Sequence, residues 1–505
     1  MLTRKLGVSF FWCVGLLGLV LLFPKGVVAV EIDRISGSDR IETAVEVSKK
    51  GWADGSDTVL LSRANAFPDA LAGTPLAYQE NAPILLTQSH KLSDATKKEI
   101  QRLNASNVII LGGSGAISND VESYLEDEMN VDVERISGSD RFETAALIAD
   151  RIDANSRAVV VSGENFPDAL SIAPYAAYRG YPILLTLKND LPDVTKNRID
   201  KNERNYVIGG TGVITKSVEN DIPKSMRIAG SDRFETSRAV AEAFPQGNAD
   251  ETYLATGLDF ADALTGSVLA AKTNDSLLLV EKNYVPNPAK LYIAEKRLTK
   301  FTVLGGYGAI DEYVDTEVSL PIQLLLVNKQ RDLPASYVPE KLEEPDVPFP
   351  FDYEHNKRKM NIIAVEHLEA LFDGAERAGL DLYAQSGYRS YERQKRIYER
   401  NVQEHGEEYA NRVSAKPGHS EHQTGLAMDV TSPEVDYRLV EEFAYTDEGE
   451  WVDEHAHEYG FIIRYPDGEE HVTGYKYEPW HLRYVGKEIA TYMKSTNRVL
   501  EEYLR

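Results

Sequence analysis

A heptapeptide that occurs three times constrains the fold more than any other feature of this sequence. Residues 34–40 read RISGSDR, residues 135–141 repeat it, and residues 227–233 read RIAGSDR. Repetition at a regular spacing indicates a tandem array of equivalent units, and this spacing is that of a small domain rather than of a solenoid repeat. The sequence therefore predicts three modules of one fold, at residues 30–128, 129–222 and 223–320.

Each copy continues with the same succession of elements. A helical stretch is followed by a strand and a loop at 67–71, 166–170 and 260–264, by an apolar strand at 83–87, 182–186 and 276–280, and by a strand with a Gly-Gly turn at 110–113, 207–210 and 303–306. Short apolar strands that alternate with helices predict a parallel sheet buried on both faces. The turns lack a full G-x-G-x-x-G and the lysine of a phosphate-binding loop, which favours a tight turn over a nucleotide site.

The SGSDRFETA, FPDAL and LGG elements in this fixed order resemble the cell wall binding repeat 2 family of Gram-positive surface proteins. The resemblance implies flavodoxin-like α/β modules that pack as a pseudo-threefold trio. It also implies non-covalent attachment to an anionic secondary cell-wall polymer. In the third copy Ala229 replaces a serine and Ala261 a proline, changes that bear on polymer contacts more than on the fold.

The arginine that ends each heptapeptide is the candidate polymer-binding residue in each module. A guanidinium can grip a phosphate or a carboxylate through two parallel hydrogen bonds. The alternative is structural: each arginine pairs with the aspartate before it, or with a neighbouring acid, and closes its module. The three candidates are Arg40, Arg141 and Arg233.

The first 29 residues have the composition of a secretory signal. Two basic residues precede an apolar run at 10–23, and small residues end the segment at Ala29, where we predict cleavage. The run is short for a spanning helix, so a retained membrane anchor is the less favoured alternative. Cleavage removes Cys13, the single cysteine, which leaves a mature chain without disulfides. The formal net charge of -25 disfavours nucleic acid and anionic membranes as partners.

The character of the sequence changes after residue 320. Residues 321–350 are rich in proline and acidic residues towards their end, which predicts a linker and an extended lead-in strand. Residues 351–505 combine helical patterns, at 364–378 and from Tyr391 to His405 or beyond, with short separated strands such as 382–390. This mixture predicts an α+β domain.

Nine of the ten histidines lie after residue 350, beside unusual acidic residues. Residues 425–430 read GLAMDV, an alternation that places Ala427 and Asp429 on one face of a strand. An acid inside a strand needs a partner or a metal. His422 precedes this strand, while Glu478 and His481 are three residues apart, on adjacent sides of a turn if their segment is helical or bent.

These residues match an S-x-H-x-x-G-x-A-x-D pattern followed by E-x-x-H, and residues 322–490 resemble the VanY-type D-alanyl-D-alanine carboxypeptidases of zinc peptidase family M15B. The resemblance implies an α+β domain of the M15 (hedgehog/DD-peptidase) type with a bound Zn²⁺. It assigns the zinc to His422, Asp429 and His481, the general base to Glu478, support of the substrate carbonyl or carboxylate to Arg389, and substrate contacts to Gln394, Ser420 and Trp480. Competing ligands are His419 and the pair His455 and His457; the pair could lie on one strand face but has no companion acid motif, and His90 is interpreted as a surface residue.

Together the resemblances predict a secreted zinc carboxypeptidase, attached non-covalently to a Gram-positive cell wall, that trims the terminal D-alanine of peptidoglycan stem peptides. It is expected to be a metallo-enzyme rather than a serine-type enzyme, with no membrane span after signal cleavage. LD-carboxypeptidase or endopeptidase action would use the same zinc chemistry and stays open. A surface adhesion or scaffold protein with a vestigial peptidase domain is the alternative of another class.

Overall fold

The three repeats form three four-stranded parallel sheets in the computed structural model, which describes residues 30–504 apart from 153–155 and 245–250. The predicted signal peptide, with Cys13, lies outside the described residues. The first repeat contains β1 (Glu31–Ile35), α1 (Arg40–Gly51), β2 (Thr58–Arg63), α2 (Gly73–Gln79), β3 (Ile84–Thr87), α3 (Asp94–Leu103), β4 (Asn107–Leu111) and α4 (Asn119–Asp127). The second contains β5 (Asp132–Ile136), α5 (Arg141–Arg151), β6 (Arg157–Ser162), α6 (Pro167–Tyr178), β7 (Ile183–Thr186), α7 (Asp193–Ile199), β8 (Arg204–Ile208) and α8 (Lys216–Asp221). The third contains β9 (Ser225–Ile228), α9 (Arg233–Ala243), β10 (Glu251–Thr256), α10 (Ala261–Thr273), β11 (Ser276–Val280), α11 (Asn287–Lys296), β12 (Lys300–Leu304) and α12 (Glu312–Glu317).

The strand that opens each repeat completes the sheet of a neighbouring repeat. The strand orders are β3-β2-β4-β5, β7-β6-β8-β9 and β11-β10-β12-β1. The third sheet therefore takes its edge strand from the beginning of the chain: β1 pairs in parallel with β12, from Glu31 opposite Lys300 to Ile35 opposite Leu304. The three sheets form a closed ring. The predicted repeat boundaries follow the sequence motif, whereas the sheets run across them.

The first arginine of each heptapeptide fixes this strand exchange in the same way at all three places. Arg34 on β1 donates to the carbonyl oxygen of Gly305 in the third glycine turn (2.9 Å) and pairs with Asp315 (2.7 Å). Arg135 and Arg227 make the equivalent hydrogen bonds to the first and second glycine turns. Each Gly-Gly turn therefore binds the opening strand of the next repeat around the ring.

The rest of the heptapeptide starts a helix. Asp39 caps α1 by accepting hydrogen bonds from the backbone N–H groups of Ile41 and Glu42, both at 2.9 Å. The side chain of Glu42 in turn accepts a hydrogen bond from the backbone N–H of Ser38. Side chains on both sides of the helix start thus satisfy each other's free backbone N–H groups. A side chain at Gly37 would place its Cβ 2.3 Å from that of Glu42, which explains the glycine. The same caps begin α5 and α9.

The loop motifs meet at the centre of the ring. Helices α2, α6 and α10 pack against one another in all three pairings. At their N-terminal ends the rings of Phe67, Phe166 and Phe260 contact each other edge to face, with centroids 5.5, 5.8 and 6.2 Å apart. Such pairs add to the stability that burial of the rings provides. Because α10 still begins at Ala261, the lost proline of the third copy leaves the fold unchanged.

The predicted parallel sheets are confirmed, and the outer strands β3, β7 and β11 are buried along their whole length. The first glycine of each Gly-Gly turn has a positive φ of 101°, 109° or 105°. A Cβ there would lie 2.3–2.6 Å from a carboxylate oxygen of the loop motif. The turn is therefore glycine because of its backbone conformation and because an aspartate packs on it. The carboxylates belong to Asp69, Asp168 and Asp262.

The C-terminal domain is α+β, as predicted, with an antiparallel sheet in the order β15-β16-β18-β17. No helix among residues 30–504, with the gaps stated above, is long and apolar enough to span a membrane. The elements are β13 (Leu342–Glu343), β14 (Met360–Asn361), α13 (Ile362–Arg377), β15 (Tyr383–Ser386), α14 (Tyr391–His405), α15 (Glu407–Val413), β16 (Ala427–Thr431), α16 (Asp447–His455), β17 (Phe461–Tyr465), α17 (Glu470–Thr473), β18 (Glu478–Tyr484), α18 (Lys487–Thr496) and α19 (Leu500–Tyr503). Short 3-10 helices lie at Ile322–Leu324, Asn356–Arg358, Glu421–Thr424, Pro433–Val435, Glu441–Tyr445 and Ala456–Tyr459.

The segment after the third repeat is packed on both of its neighbours. Leu325 and Val327 belong to one apolar cluster with Leu291 of α11, while Leu324 and Leu326 belong to another with residues of α18 and α19. Hydrogen bonds and an ion pair reinforce the first contact, among them Asn287 to the Leu326 carbonyl and Arg331 to Glu317. The predicted lead-in strand is only the two-residue β13.

Candidate metal and active site

Two adjacent strands hold two of the predicted ligands side by side. Asp429 on β16 is directly opposite His481 on β18 in the antiparallel ladder. The segment around Glu478 and His481 is thus a strand, and the helical or bent turn considered from the sequence does not occur. A regular strand would point residues three apart to opposite faces. The pairing of β17 with β18 is irregular between Ile463 and Tyr465, and Tyr465 is the residue opposite Glu478. At this irregularity the side chains of Glu478 and His481 both reach the site.

The third ligand comes from the short helix before β16. His422 lies in the 3-10 helix Glu421–Thr424, which Gly425 ends with a φ of 70°. A Cβ at Gly425 would be 2.9 Å from the backbone nitrogen of Asn361, so this turn also needs glycine for space. The Nδ1 atom of His422 is 2.9 Å from the carbonyl oxygen of Gly387, which orients Nε2 towards Asp429. The predicted alternation of β16 is confirmed: Met428 and Val430 enter the apolar core, away from the site.

His422, Asp429 and His481 form the one cluster of potential metal ligands found among the described residues, with one ligand atom of each lying within 4.8 Å of the others. Asp429 Oδ2 is 3.3 Å from His422 Nε2, and its Oδ1 is 3.2 Å from His481 Nδ1. All three side chains are buried. Two imidazole nitrogens and one carboxylate oxygen that converge in this way are a donor set of catalytic zinc sites.

The surroundings set the protonation of these groups. Burial lowers the pKa of His422 to about 4, which keeps this imidazole neutral at neutral pH. Burial also acts to lower the pKa of His481, but the carboxylates of Asp429 and Glu421 outweigh it and raise that pKa to about 9. Burial acts to raise the pKa of Asp429, yet the two histidines hold it well below its usual range. A metal bound here would displace a proton from His481.

Glu478 lies beside the cluster and is not one of its three ligands. Its Oε2 atom is 3.5 Å from His481 Nδ1. Burial raises the pKa of Glu478 to about 7, with the charge of His481 opposing the shift. A carboxyl group that changes protonation near neutral pH can both take up and return a proton.

Arg389 also approaches the cluster. Its Nη2 atom is 3.8 Å from Asp429 Oδ2, and its Nη1 atom donates to Gln394 Oε1 at 3.0 Å. Gln394 is fully buried and donates through Nε2 to the carbonyl of Ala415 (2.6 Å). The structure therefore places Gln394 where it orients Arg389.

The remaining candidates lie around or away from this point. Ser420 is buried at the start of the 3-10 helix, and Trp480 packs, partly exposed, against the apolar core. His419 hydrogen-bonds the Asn328 carbonyl (2.8 Å), and His455 contacts Glu458 at the surface. His457 belongs to no metal-ligand cluster among the residues described, and His90 is exposed.

The arginines predicted to bind polymer make structural contacts in all three modules. Each donates through Nη1 to a backbone carbonyl that follows the second strand of its repeat, and Arg40 also pairs with Asp259 of the third repeat (2.8 Å). The aspartates before them cap helices instead of pairing with them. Polymer binding by these arginines stays a prediction. The residues are Arg40, Arg141 and Arg233.

Sequence reasoning missed a buried ionic group next to the site. Glu421 accepts hydrogen bonds from Arg464 (2.8 Å) and Arg483 (2.6 Å), and Arg464 also binds Glu501 on α19 (2.7 Å). Both arginine side chains are completely buried. The only available signal was the position of Glu421 beside His422 in the motif, since its partners lie far apart in the sequence.

Comparison with known families agrees with this architecture. A model described as "Cell wall binding domain 2 (CWB2)" matches residues 34–122, 135–219 and 227–315. A model described as VanY, D-alanyl-D-alanine carboxypeptidase, matches residues 357–487. The chain belongs to the cell wall binding domain 2 family, and its three repeats are followed by a VanY-type D-alanyl-D-alanine carboxypeptidase domain.

Individual relatives match one part of the chain or the other. The N-acetylmuramoyl-L-alanine amidase LytC of Bacillus subtilis is 35% identical over 308 residues, which are 61% of this chain and 62% of LytC. The putative carboxypeptidase YodJ of the same organism is 49% identical over 180 residues, 36% of this chain and 66% of YodJ. The structure of Cwp6 from Clostridium difficile is similar with a TM-score of 0.55 and 32% identity, over 58% of this chain and 48% of Cwp6. The chain thus spans less than two thirds of each.

Proposed function

We propose that this chain is a wall-bound zinc carboxypeptidase that removes the terminal D-alanine from peptidoglycan stem peptides. The convergence of His422, Asp429 and His481 on one point, with Glu478 beside it, carries the proposal. The family of the C-terminal domain supports D-alanyl-D-alanine as the substrate, and YodJ, its relative in sequence, is named as a putative carboxypeptidase.

The residues at this point fit a zinc ion. Asp429 Oδ1 is buried, and no hydrogen-bond partner is found for it among the residues that the structure describes. A buried acceptor without a partner is costly, and a cation held between it and two imidazoles would remove that cost. The donor set of two nitrogens and one carboxylate oxygen leaves a fourth position for substrate or water, as catalytic zinc requires. We assign the zinc to His422, Asp429 and His481.

Each neighbouring side chain has a distinct task in hydrolysis. A zinc ion bound here supplies Lewis-acid polarisation and lowers the pKa of water. Glu478 takes up the proton of the attacking water and returns it to the amine of the departing D-alanine. Arg389, held by Gln394, provides a permanent positive charge for the substrate carbonyl or carboxylate. We propose Ser420 and Trp480 as further contacts of the substrate.

The repeats suit delivery of this site to its substrate. We propose that they attach the secreted protein non-covalently to an anionic polymer of a Gram-positive cell wall, after removal of residues 1–29 as a signal peptide. In the first two sheets the strand order is 2-1-3-4 counted along the chain, and the third sheet keeps this arrangement with β1 in the last place, which supports a flavodoxin-like type for the modules. The mixed sheet-and-helix build of residues 351–505 supports the M15 type for the peptidase domain, with residues 321–350 as the junction.

Release of D-alanine from muropeptides tests the proposed activity. The full chain is incubated separately with a pentapeptide, a tetrapeptide and a cross-linked dimeric muropeptide, with and without EDTA, beside Glu478→Gln. We expect EDTA-sensitive release from the pentapeptide and loss of release in the variant. Release only from the tetrapeptide would establish an LD-carboxypeptidase, and cleavage of cross-linked dimers without free D-alanine an endopeptidase. Absence of both zinc and activity would support a scaffold protein.

Binding to purified cell walls tests the proposed attachment. Walls are compared before and after extraction of their anionic polymer. Retention by intact walls alone supports the proposal, whereas equal retention by extracted walls contradicts it. Arg141→Ala, compared with substitution of the exposed Lys201 as a control for charge, tests whether the heptapeptide arginine contributes to the polymer contact.

A further inference from the structure

Glu421 and His481 each have one buried polar atom without a partner, and these two atoms face each other. Glu421 Oε2 and His481 Nε2 are 3.8 Å apart. Neither has a hydrogen-bond partner within the described part of the chain. Glu421 is 1% exposed, so water does not compensate for the missing bonds. A small closure would join a ring N–H to a carboxylate oxygen and satisfy both groups.

The other nitrogen of His481 faces the metal cluster. Nδ1 is 3.2 Å from Asp429 Oδ1 and 3.5 Å from Glu478 Oε2. Since an imidazole can present a lone pair to a metal only from its unprotonated nitrogen, a proton held on Nε2 leaves Nδ1 free to bind. A metal-ligating histidine commonly donates its second N–H to a carboxylate, which fixes the tautomer and raises the basicity of the ligand.

We propose that Glu421 is a positioning residue that accepts the Nε2–H of His481 and thereby commits Nδ1 to the metal. This inference rests on the proposed zinc site. It does not place Glu421 in contact with metal or substrate. Its effect on the reaction passes through the orientation and the basicity of His481.

Arg464 and Arg483 leave one oxygen of the Glu421 carboxylate available to His481. Arg464 Nε and Arg483 Nη1 both donate to Oε1 of Glu421, which leaves Oε2 available to His481. They also keep Glu421 ionised in a site where no part of its side chain is exposed. Both bonds fix the position of Oε1, and Oε2 is the oxygen that faces His481.

The arginines are in turn held by the junction and by the end of the chain. Arg483 Nη2 donates to the carbonyl oxygens of Gln323 (3.0 Å) and Leu325 (2.7 Å). Arg464 binds Glu501, which also accepts from Asn328 Nδ2 (3.2 Å). These partners lie outside residues 357–487, the part matched as a VanY domain. The orientation of a metal ligand thus depends on segments at both ends of the peptidase domain.

Zinc affinity of two Glu421 variants tests the proposal, measured on the full chain by competition with a chromophoric chelator. In Glu421→Gln the single amide oxygen accepts the hydrogen bonds of the two arginines, so that the NH₂ group faces His481 Nε2. A donor at this position favours the tautomer with its proton on Nδ1, which cannot bind the metal through Nδ1. Glu421→Asp keeps the charge between the arginines but withdraws it from His481. We expect zinc to bind about 10- to 100-fold more weakly to both. Glu448→Gln, which alters another buried glutamate of the domain, is the matched control.

The outcomes separate this inference from the proposed function. If the wild-type chain binds no zinc, the proposed zinc enzyme fails. If the wild-type chain binds zinc and both Glu421 variants bind it as tightly as the control, only the role of Glu421 is refuted. Nitrogen NMR of His481 in the zinc-loaded wild-type chain needs no variant to fold. It should show the proton on Nε2, and a proton on Nδ1 would overturn the proposal.

Discussion

The buried carboxyl group of Asp168 predicts a contribution to the stability of the repeats that is lost as the pH rises towards neutrality. Asp168 is 7% exposed and packs over the glycine turn at Gly209. Burial raises its pKa to about 6, although the positive charge of Arg233 opposes the shift. A group whose pKa is higher in the folded state than in the unfolded chain favours folding only while it is protonated.

The size of the effect follows from the two pKa values. The unfolded carboxyl has a pKa of 3.8 and the folded one a pKa of about 6. At 1.36 kcal/mol per pH unit, this difference corresponds to about 3 kcal/mol. That stability is complete below about pH 3.8, declines between the two values, and is absent above about pH 6. Asp168→Asn, which mimics the protonated form, should therefore gain up to about 3 kcal/mol over the wild-type chain at neutral pH and nothing in acid.

Urea unfolding followed by circular dichroism, at several values between about pH 4 and about pH 7.5, measures this difference. Other groups titrate in both proteins, so the difference between variant and wild type is the quantity of interest. Asp127→Asn, at an exposed position on α4, is the control and should not change the pH dependence. A stability difference that stays constant across this range, or an Asp168→Asn chain that is less stable at neutral pH, would refute the reasoning.

Three further perturbations address other parts of the molecule. Glu478→Gln should lower D-alanine release by about 10²- to 10⁴-fold, because the group that moves the proton is lost. Zinc affinity should stay near that of the wild-type chain, because the three ligands remain. Equal losses of D-alanine release and zinc affinity would contradict this separation of roles. Phe166→Ala should lower the free energy of unfolding by about 3 kcal/mol, since it empties the centre of the ring, and unchanged urea unfolding would argue against that packing. Removal of residues 30–35 should expose the edge of β12 and lower the melting temperature of the repeats, as calorimetry would show; a chain that melts like the wild type would disprove closure of the ring.

Local patterns predicted the elements and their chemistry well. The helix expected from Tyr391 is α14, which begins at Tyr391 and ends at His405. The alternation around Asp429 placed that side chain on the face opposite Met428. Both signals depend on the side-chain periodicity of a single element, which the sequence records directly.

Relations between distant segments could not be predicted in this way. A repeated motif shows that the modules are equivalent, but it does not show that β1 pairs with β12 rather than within its own repeat. The proline and acidic residues of the junction predicted a linker, yet Leu325 and Val327 pack on the third repeat. The partners of Glu421 are separated from it by 43 and 62 residues, and nothing in their local sequence identifies them.

Pairing of β1 with β12 also sets a condition on how the repeats fold. The first two sheets contain only strands that follow one another closely along the chain, so each can form as soon as its own segment is available. The third sheet must wait for residues 300–304 and needs residues 31–35 still unpaired at that moment. Closing so long a loop costs only slightly more entropy than closing a short one, but contacts of large sequence separation slow folding. Strand β1 therefore cannot complete its native pairing before β12, close to the other end of the repeats, is in place.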